Sequence, residues 1–143
     1  MINEVTFYRS KVKGYLSEWG DHDRIENAIG SGIPDISYCI AGRQGWLELK
    51  IVHANGKIYF QQFQPAWLKR RARHSRGTGV FVLAAGINGD KTWLWLYPPQ
   101  AIFDAELAKE DRWLTVRRDR LKPMVAGQDV LQTWLEIKTA LSQ

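Results

Sequence analysis

Cysteine is almost absent from this chain, with a single one, Cys39, among 143 residues. That excludes an internal disulfide and any structural zinc centre built on several thiolates, and it fits a reducing compartment. Cys39 itself is expected as a small buried hydrophobe on a strand. Long apolar runs are missing as well. The longest, Val80 to Ala85, is far too short to cross a bilayer, and charge interrupts the N-terminal MINEVTFYRSK where a signal peptide needs an apolar core. A cytoplasmic location with no membrane partner is expected. Histidine is also scarce. His53 and His74 have no partner at ligand spacing, and Asp21-His22-Asp23 reads as a solvated turn, because adjacent loop residues rarely converge on one ion.

What remains is a folded domain. Hydrophobic residues make up 45% and aromatic residues 12%, which excludes disordered and low-complexity classes, and the length fits one domain spanning residues 1–143. Its core is expected over about 1–97, with a C-terminal extension over about 98–143. The formal charge of +5 and a pI near 9.5 favour an anionic partner. That charge is unevenly spread. Gln61 to Arg76 and Arg112 to Lys122 together hold ten cations and one anion, a net +9, which leaves −4 on the other 116 residues. Lys69, Arg70, Arg71, Arg73 and Arg76 in the first segment, and Arg117, Arg118 and Arg120 in the second, are the expected DNA-binding residues.

Apolar spacing at Val5, Tyr8, Val12, Tyr15, Leu16 and Trp19 predicts a helix over Glu4 to Trp19, capped by Asn3 and ended by Gly20. Asp21 to Gly32 is polar and reads as a loop. Ile33 to Ile40 and Trp46 to Val52 read as an antiparallel hairpin joined through Ala41 to Gly45, and Ile58 to Phe60 as a third short strand. A helix from Pro65 to Gly77 follows, then strands Val80 to Ala85 and Thr92 to Tyr97. In the last third the pattern gives a helix over Gln100 to Lys109, a strand over Trp113 to Arg118 and a helix over Asp129 to Leu141. Strands flanked by helices make this an α/β or α+β chain with a mixed sheet. Trp93 and Trp95 alternate with Leu94 and Leu96, which points to packing rather than base stacking.

The chemistry lies in GIPDISYCIAGRQGWLELK, Gly32 to Lys50. On a strand, Glu48 and Lys50 share one face while Leu47, Leu49 and Ile51 take the other. Folding the hairpin brings Asp35 roughly opposite Glu48 and Lys50. Two carboxylates with the Leu49 carbonyl between them are hard oxygen ligands suited to Mg²⁺ or Mn²⁺. Lys50 is placed to orient a hydroxide or to offset charge on a phosphate, so phosphodiester hydrolysis is the natural reaction.

These residues, with QPAWL and GVFVL downstream, resemble the PD-(D/E)XK nuclease superfamily over Gly32 to Leu83. The layout is most similar to phage and bacterial VRR-NUC-type nucleases and archaeal Holliday junction resolvases. The resemblance implies a restriction-endonuclease-like α-β-β-β-α-β core. It also implies that Asp35 and Glu48 bind metal, that Lys50 is the catalytic lysine, and that Gln64 lines the site from its helix. A further acid on the first helix commonly completes such sites. Glu4 is slightly favoured for that role over Glu26, with Glu18 weakest.

The expected activity is therefore a Mg²⁺-dependent or Mn²⁺-dependent DNA endonuclease of phage or mobile-element type. A structure-selective junction resolvase and a sequence-specific homing or restriction enzyme both stay open, as does a non-catalytic DNA-binding module. Cutting both strands of duplex or branched DNA takes two sites, so a homodimer or higher oligomer is expected.

Overall fold

A computed structural model of the chain describes residues 3–25 and 32–143. The first helix starts at Asn3, whose side chain accepts a hydrogen bond from the Thr6 amide, and runs as α1 (Glu4–Phe7), a π-helical turn (Tyr8–Val12) and α2 (Lys13–Trp19). The wide turn changes the buried face from the one simple periodicity predicts. Phe7, Tyr8, Val12 and Leu16 are buried while Val5 is exposed, because the five-residue step from Phe7 to Val12 is spanned by the π turn.

Three expectations need correction here. Asp21 to Arg24 is not a loop: it belongs to strand β1 (Gly20–Arg24), which pairs antiparallel with β2 (Ile36–Ile40). Its residues GDHDR carry no apolar alternation because the strand lies at a sheet edge, where charged side chains discourage further pairing. Cys39 is exposed rather than buried, since Ile36, Tyr38 and Ile40 take the inward positions of β2. The hairpin connection is two residues rather than five. Ala41 and Gly42 both have positive φ (52° and 77°), the tight-turn geometry that matches strand twist, so β3 starts at Arg43 and runs to Ile51.

After β3 the chain leaves this sheet. β4 (Lys57–Gln61) pairs not with β3 but with β8 (Trp113–Arg117), which in turn pairs with β7 (Ala108–Glu110) to form a separate three-stranded sheet. Helix α3 (Gln64–Ser75) then leads into β5 (Val80–Asn88), which lies parallel to β3, and β6 (Lys91–Tyr97) returns antiparallel. The predicted helix over Gln100 to Lys109 shrinks to α4 (Pro99–Phe103), because Ala108 to Glu110 is drawn into pairing with β8. Strand β9 (Val125–Gln128) completes a six-stranded mixed sheet in the order β1-β2-β3-β5-β6-β9, and α5 (Leu131–Leu141) closes the chain. The α-β-β-β-α-β core is thus present, with β1, β2 and β3 as its first three strands.

Each face of the sheet carries its own core. One packs Leu47, Leu49, Phe81 and Leu83 under the first helix and α5. The other packs Val80, Val82, Ala84 and Tyr97 under α3, α4 and the small sheet. β5 is apolar on both faces because it is covered on both. Among the described residues no helix is long and apolar enough to cross a membrane.

The C-terminal helix is part of this packing. Trp134 is buried, stacks on Tyr15 at 4.4 Å between ring centroids, and donates its indole N–H to Asp129 at 2.7 Å. Trp134→Ala should therefore destabilise the protein by about 3–5 kcal/mol. Chemical denaturation measures this, and a loss below about 1 kcal/mol would mean that α5 is not integral to the fold.

Candidate active site

The pairing of Ile36 with Leu47 extends by one residue to set Asp35 opposite Glu48. Opposed residues of an antiparallel pair point to the same face, so the short turn at Ala41-Gly42 fixes their meeting. Gly32 seats the segment that carries Asp35. Its φ is +75°, and a Cβ there would come within 2.5 Å of the Phe63 carbonyl oxygen, just ahead of α3.

The side chains then lock together. The Leu49 amide donates to Asp35 Oδ2 at 3.1 Å, and the Asp35 amide donates to Glu48 Oε1 at 3.2 Å. Gln64, in the first turn of α3, is the hub. Its Nε2 donates to Glu48 Oε2 at 2.8 Å, while its Oε1 accepts from Lys50 Nζ and from the Gln61 amide, each at 2.8 Å. An amide side chain, with a donor end and an acceptor end, serves a carboxylate and an ammonium at once. Lys50 Nζ lies 3.4 Å from Glu48 Oε2 and 5.0 Å from the centre of the Phe60 ring. Glu48, Lys50 and Gln64 are 3%, 5% and 6% exposed.

Burial in this pocket raises both carboxyl groups. Asp35 is shifted upward by desolvation, against the pull of the Leu49 amide and Lys50, and the charge of Glu4 adds to the rise. Glu48 is pushed up to about 8, again by desolvation first, with Lys50 opposing and Asp35 reinforcing the shift. One ammonium faces two carboxyl groups, Glu48 buried and Asp35 half-buried, so the site is short of positive charge. Among the described residues no three His, Cys, Asp or Glu side chains gather to hold an ion by themselves. The available donors are Asp35, Glu48 and the Leu49 carbonyl, an all-oxygen set that fits a divalent cation completing its shell with water and phosphate.

All of these residues open onto one cleft of about 680 Å³. Half-buried Glu4 lines it, so the first helix does deliver an acid to the site; Glu26 lies outside the described residues. The sequence reading missed Arg24, His53, Tyr59, Gln61 and Trp113, which also line the cleft. Alternation along β4 could have flagged Tyr59 with Gln61. Nothing local flags Trp113, which arrives through the pairing of β8 with β4.

None of the eight expected DNA-binding cations lines the cleft. Lys69, Arg70, Arg71 and Arg73 are exposed along α3, whose first turn carries Gln64, and Arg76 is exposed just past its end. Lys69, Arg73 and Arg76 flank a second groove of about 310 Å³ with Gln100 and Phe103, while Arg71 lies over the Trp46 and Trp67 rings at 5.3 and 4.7 Å. Arg117 pairs with Asp119, Arg118 lies 4.6 Å over the Trp95 ring, and Arg120 is exposed. On β8, Arg117 stands roughly 13 Å along the strand from Trp113.

Against solved structures, the chain is similar to Hjc of Archaeoglobus fulgidus, a Holliday junction resolvase from an archaeal hyperthermophile. The TM-score is 0.57 and the identity 14%, with 98% of each chain covered. The chain shares the fold of that resolvase. No family model and no curated protein sequence matches it. The resolvase fold agrees with the mixed sheet and helical layers described above, which are of restriction-endonuclease-like type.

The raised Glu48 carboxyl has a stability consequence. Its folded-state pKa lies above its unfolded value, so the protonated form is the one the fold favours. That contribution is complete below about pH 4.5 and is lost as pH rises through about 8. In EDTA, the Tm should fall by several degrees between pH 5 and pH 8.5, and Mn²⁺ should restore it at the higher pH. Glu48→Gln should flatten the slope and remove the rescue. Identical slopes in the two proteins, measured by scanning calorimetry, would contradict the assignment.

Proposed function

We propose that this protein is a divalent-metal-dependent DNA endonuclease acting on branched DNA. The cluster of Asp35, Glu48, Lys50 and Gln64 in one cleft, on a fold shared with a Holliday junction resolvase, carries this reading. Asp35, Glu48 and the Leu49 carbonyl would hold Mg²⁺ or Mn²⁺, which supplies Lewis acidity toward a phosphoryl oxygen and lowers the pKa of a water.

The chain's own groups do the rest. Lys50 keeps its ammonium aimed into the cleft through Gln64 and Glu48, where it opposes the negative charge that builds on phosphorus-bound oxygens in the transition state. Gln64 fixes Lys50 and Glu48 together, so both are oriented before substrate arrives. Glu4 adds negative charge at the rim. Lys69, Arg70, Arg71 and Arg73 along α3 and Arg76 at its end, with Arg117, Arg118 and Arg120, are assigned to DNA phosphates beyond the cleft. A module that only bound DNA would have no use for a buried Glu48 and a half-buried Asp35 held at a cost beside one lysine.

One cleft cuts one strand, so resolving a junction takes two copies of the chain. The exposed apolar residues Val130, Leu131 and Leu135 at one side of α5 supply a surface for that pairing.

The direct test is cleavage of a four-way junction and a linear duplex with Mg²⁺ or Mn²⁺. The junction should be cut in preference, and Asp35→Ala, Glu48→Ala and Lys50→Ala should each lose about 10²–10³-fold or more. Variants that cut as well as the unmodified protein would end this reading. Sedimentation velocity should give a dimer that Leu131→Glu with Leu135→Glu converts to monomer; an unmodified protein that stays monomeric while cutting both strands in one encounter would contradict the pairing.

A further inference from the structure

The cleft has an aromatic wall that the carboxylate cluster does not use. The pairing of β4 with β8 sets Gln61 opposite Trp113 and Tyr59 opposite Thr115, so Tyr59, Gln61 and Trp113 share one face of the three-stranded sheet. The other face, with Ile58, Phe60 and Val116, is packed into the core. Neither Tyr59 nor Trp113 belongs to either hydrophobic core. Both are half-buried and line the same cleft as Asp35, Glu48 and Lys50, beside exposed His53.

The three rings touch in sequence. His53 and Tyr59 have centroids 4.4 Å apart, and Trp113 meets Tyr59 edge to face at 6.4 Å and 84°. Asn55 Nδ2 donates to the Tyr59 hydroxyl at 2.8 Å and anchors that ring, while the Arg112 guanidinium lies 5.3 Å over Trp113. Anchored aromatic rings that serve no core, held beside a phosphodiester site with a cation next to them, match the surface on which an unstacked nucleobase lies.

We infer that His53, Tyr59 and Trp113 form a subsite for one unpaired nucleobase next to the bond that is cut, with Arg112 supplying positive charge beside it. This rests on the nuclease reading above. A base inside a continuous duplex has both faces covered by its neighbours, whereas a base at a branch point or in a single-stranded tail offers one. The subsite therefore selects branched or splayed DNA over duplex, whatever its sequence, because every base has a π face.

Binding is measured without cleavage, in EDTA, by fluorescence anisotropy on a splayed-arm fork and on a fully paired duplex of equal length. Tyr59→Leu with Trp113→Leu should weaken fork binding by roughly fivefold to a hundredfold and duplex binding by less than about twofold. Tyr59→Phe with Trp113→Phe should restore the fork preference. In the unmodified protein, 5-iodouracil at the first unpaired position should photocrosslink to His53, Tyr59 or Trp113, located by mass spectrometry. Equal losses on fork and duplex, no loss on the fork, or crosslinks only outside the three residues would each overturn the subsite. Cleavage of the same fork with Mg²⁺ or Mn²⁺ is scored separately: a protein that binds and crosslinks as described yet cuts nothing keeps the subsite and loses the nuclease reading.

Discussion

Burial of Glu48 beside Lys50, with Gln64 bridging them, is the constraint around which this chain is arranged. The ion pair at 3.4 Å sits where water has been removed, so each remaining polar atom needs a partner. Gln64 meets that need from a different element, and it does so only if α3 begins beside the face of β3 that carries Glu48 and Lys50. The excursion through β4, the close approach of Gly32 to Phe63 and the position of α3 all serve that one junction. Even so, Glu48 remains raised, because desolvation and, after it, the neighbouring Asp35 outweigh the opposing pull of Lys50. Two carboxyl groups that lose their protons only at a cost, facing one ammonium, are the physical argument for a cation in the cleft.

Charge on the larger scale follows a complementary pattern. Acidic groups converge at the cleft, while the exposed cations run along α3 away from it and flank a second groove at the helix's far end. Over its twelve residues that helix spans about 18 Å, so a polyanion bound along it meets positive charge well beyond the point of reaction. The small sheet serves a different end. Its inner face closes one core, and its outer face brings aromatic rings to the cleft wall.

The meeting of Asp35, Glu48 and Lys50 was legible because it is local. Period-two alternation in WLELKI separates Glu48 and Lys50 from Leu47, Leu49 and Ile51, and a short glycine-bearing turn limits how far Asp35 can slip in register. Cys39 was legible too, had the same parity been carried back along β2 from the inward positions of Ile36, Tyr38 and Ile40. Strand β1 was hidden because GDHDR pairs through its backbone and carries no apolar signal. Membership of β4 in a second sheet was hidden for another reason: its alternation shows that Ile58 and Phe60 face inward, yet its partner β8 lies far along the chain. The aromatic wall depends on that same long-range pairing, while the short α4 follows from the local hairpin of β7 with β8. Gln64 was indicated only by resemblance, since no spacing rule ties a glutamine on a helix to a carboxylate on a strand.

Anomalous diffraction from crystals grown with Mn²⁺ shows directly whether Asp35 and Glu48 hold a divalent cation. A single strong peak within bonding distance of Asp35, Glu48 and the Leu49 carbonyl, absent from Glu48→Gln crystals, is the predicted result. Well-ordered Asp35 and Glu48 with no peak between them, or a peak held by other residues at the same Mn²⁺ concentration, would contradict it.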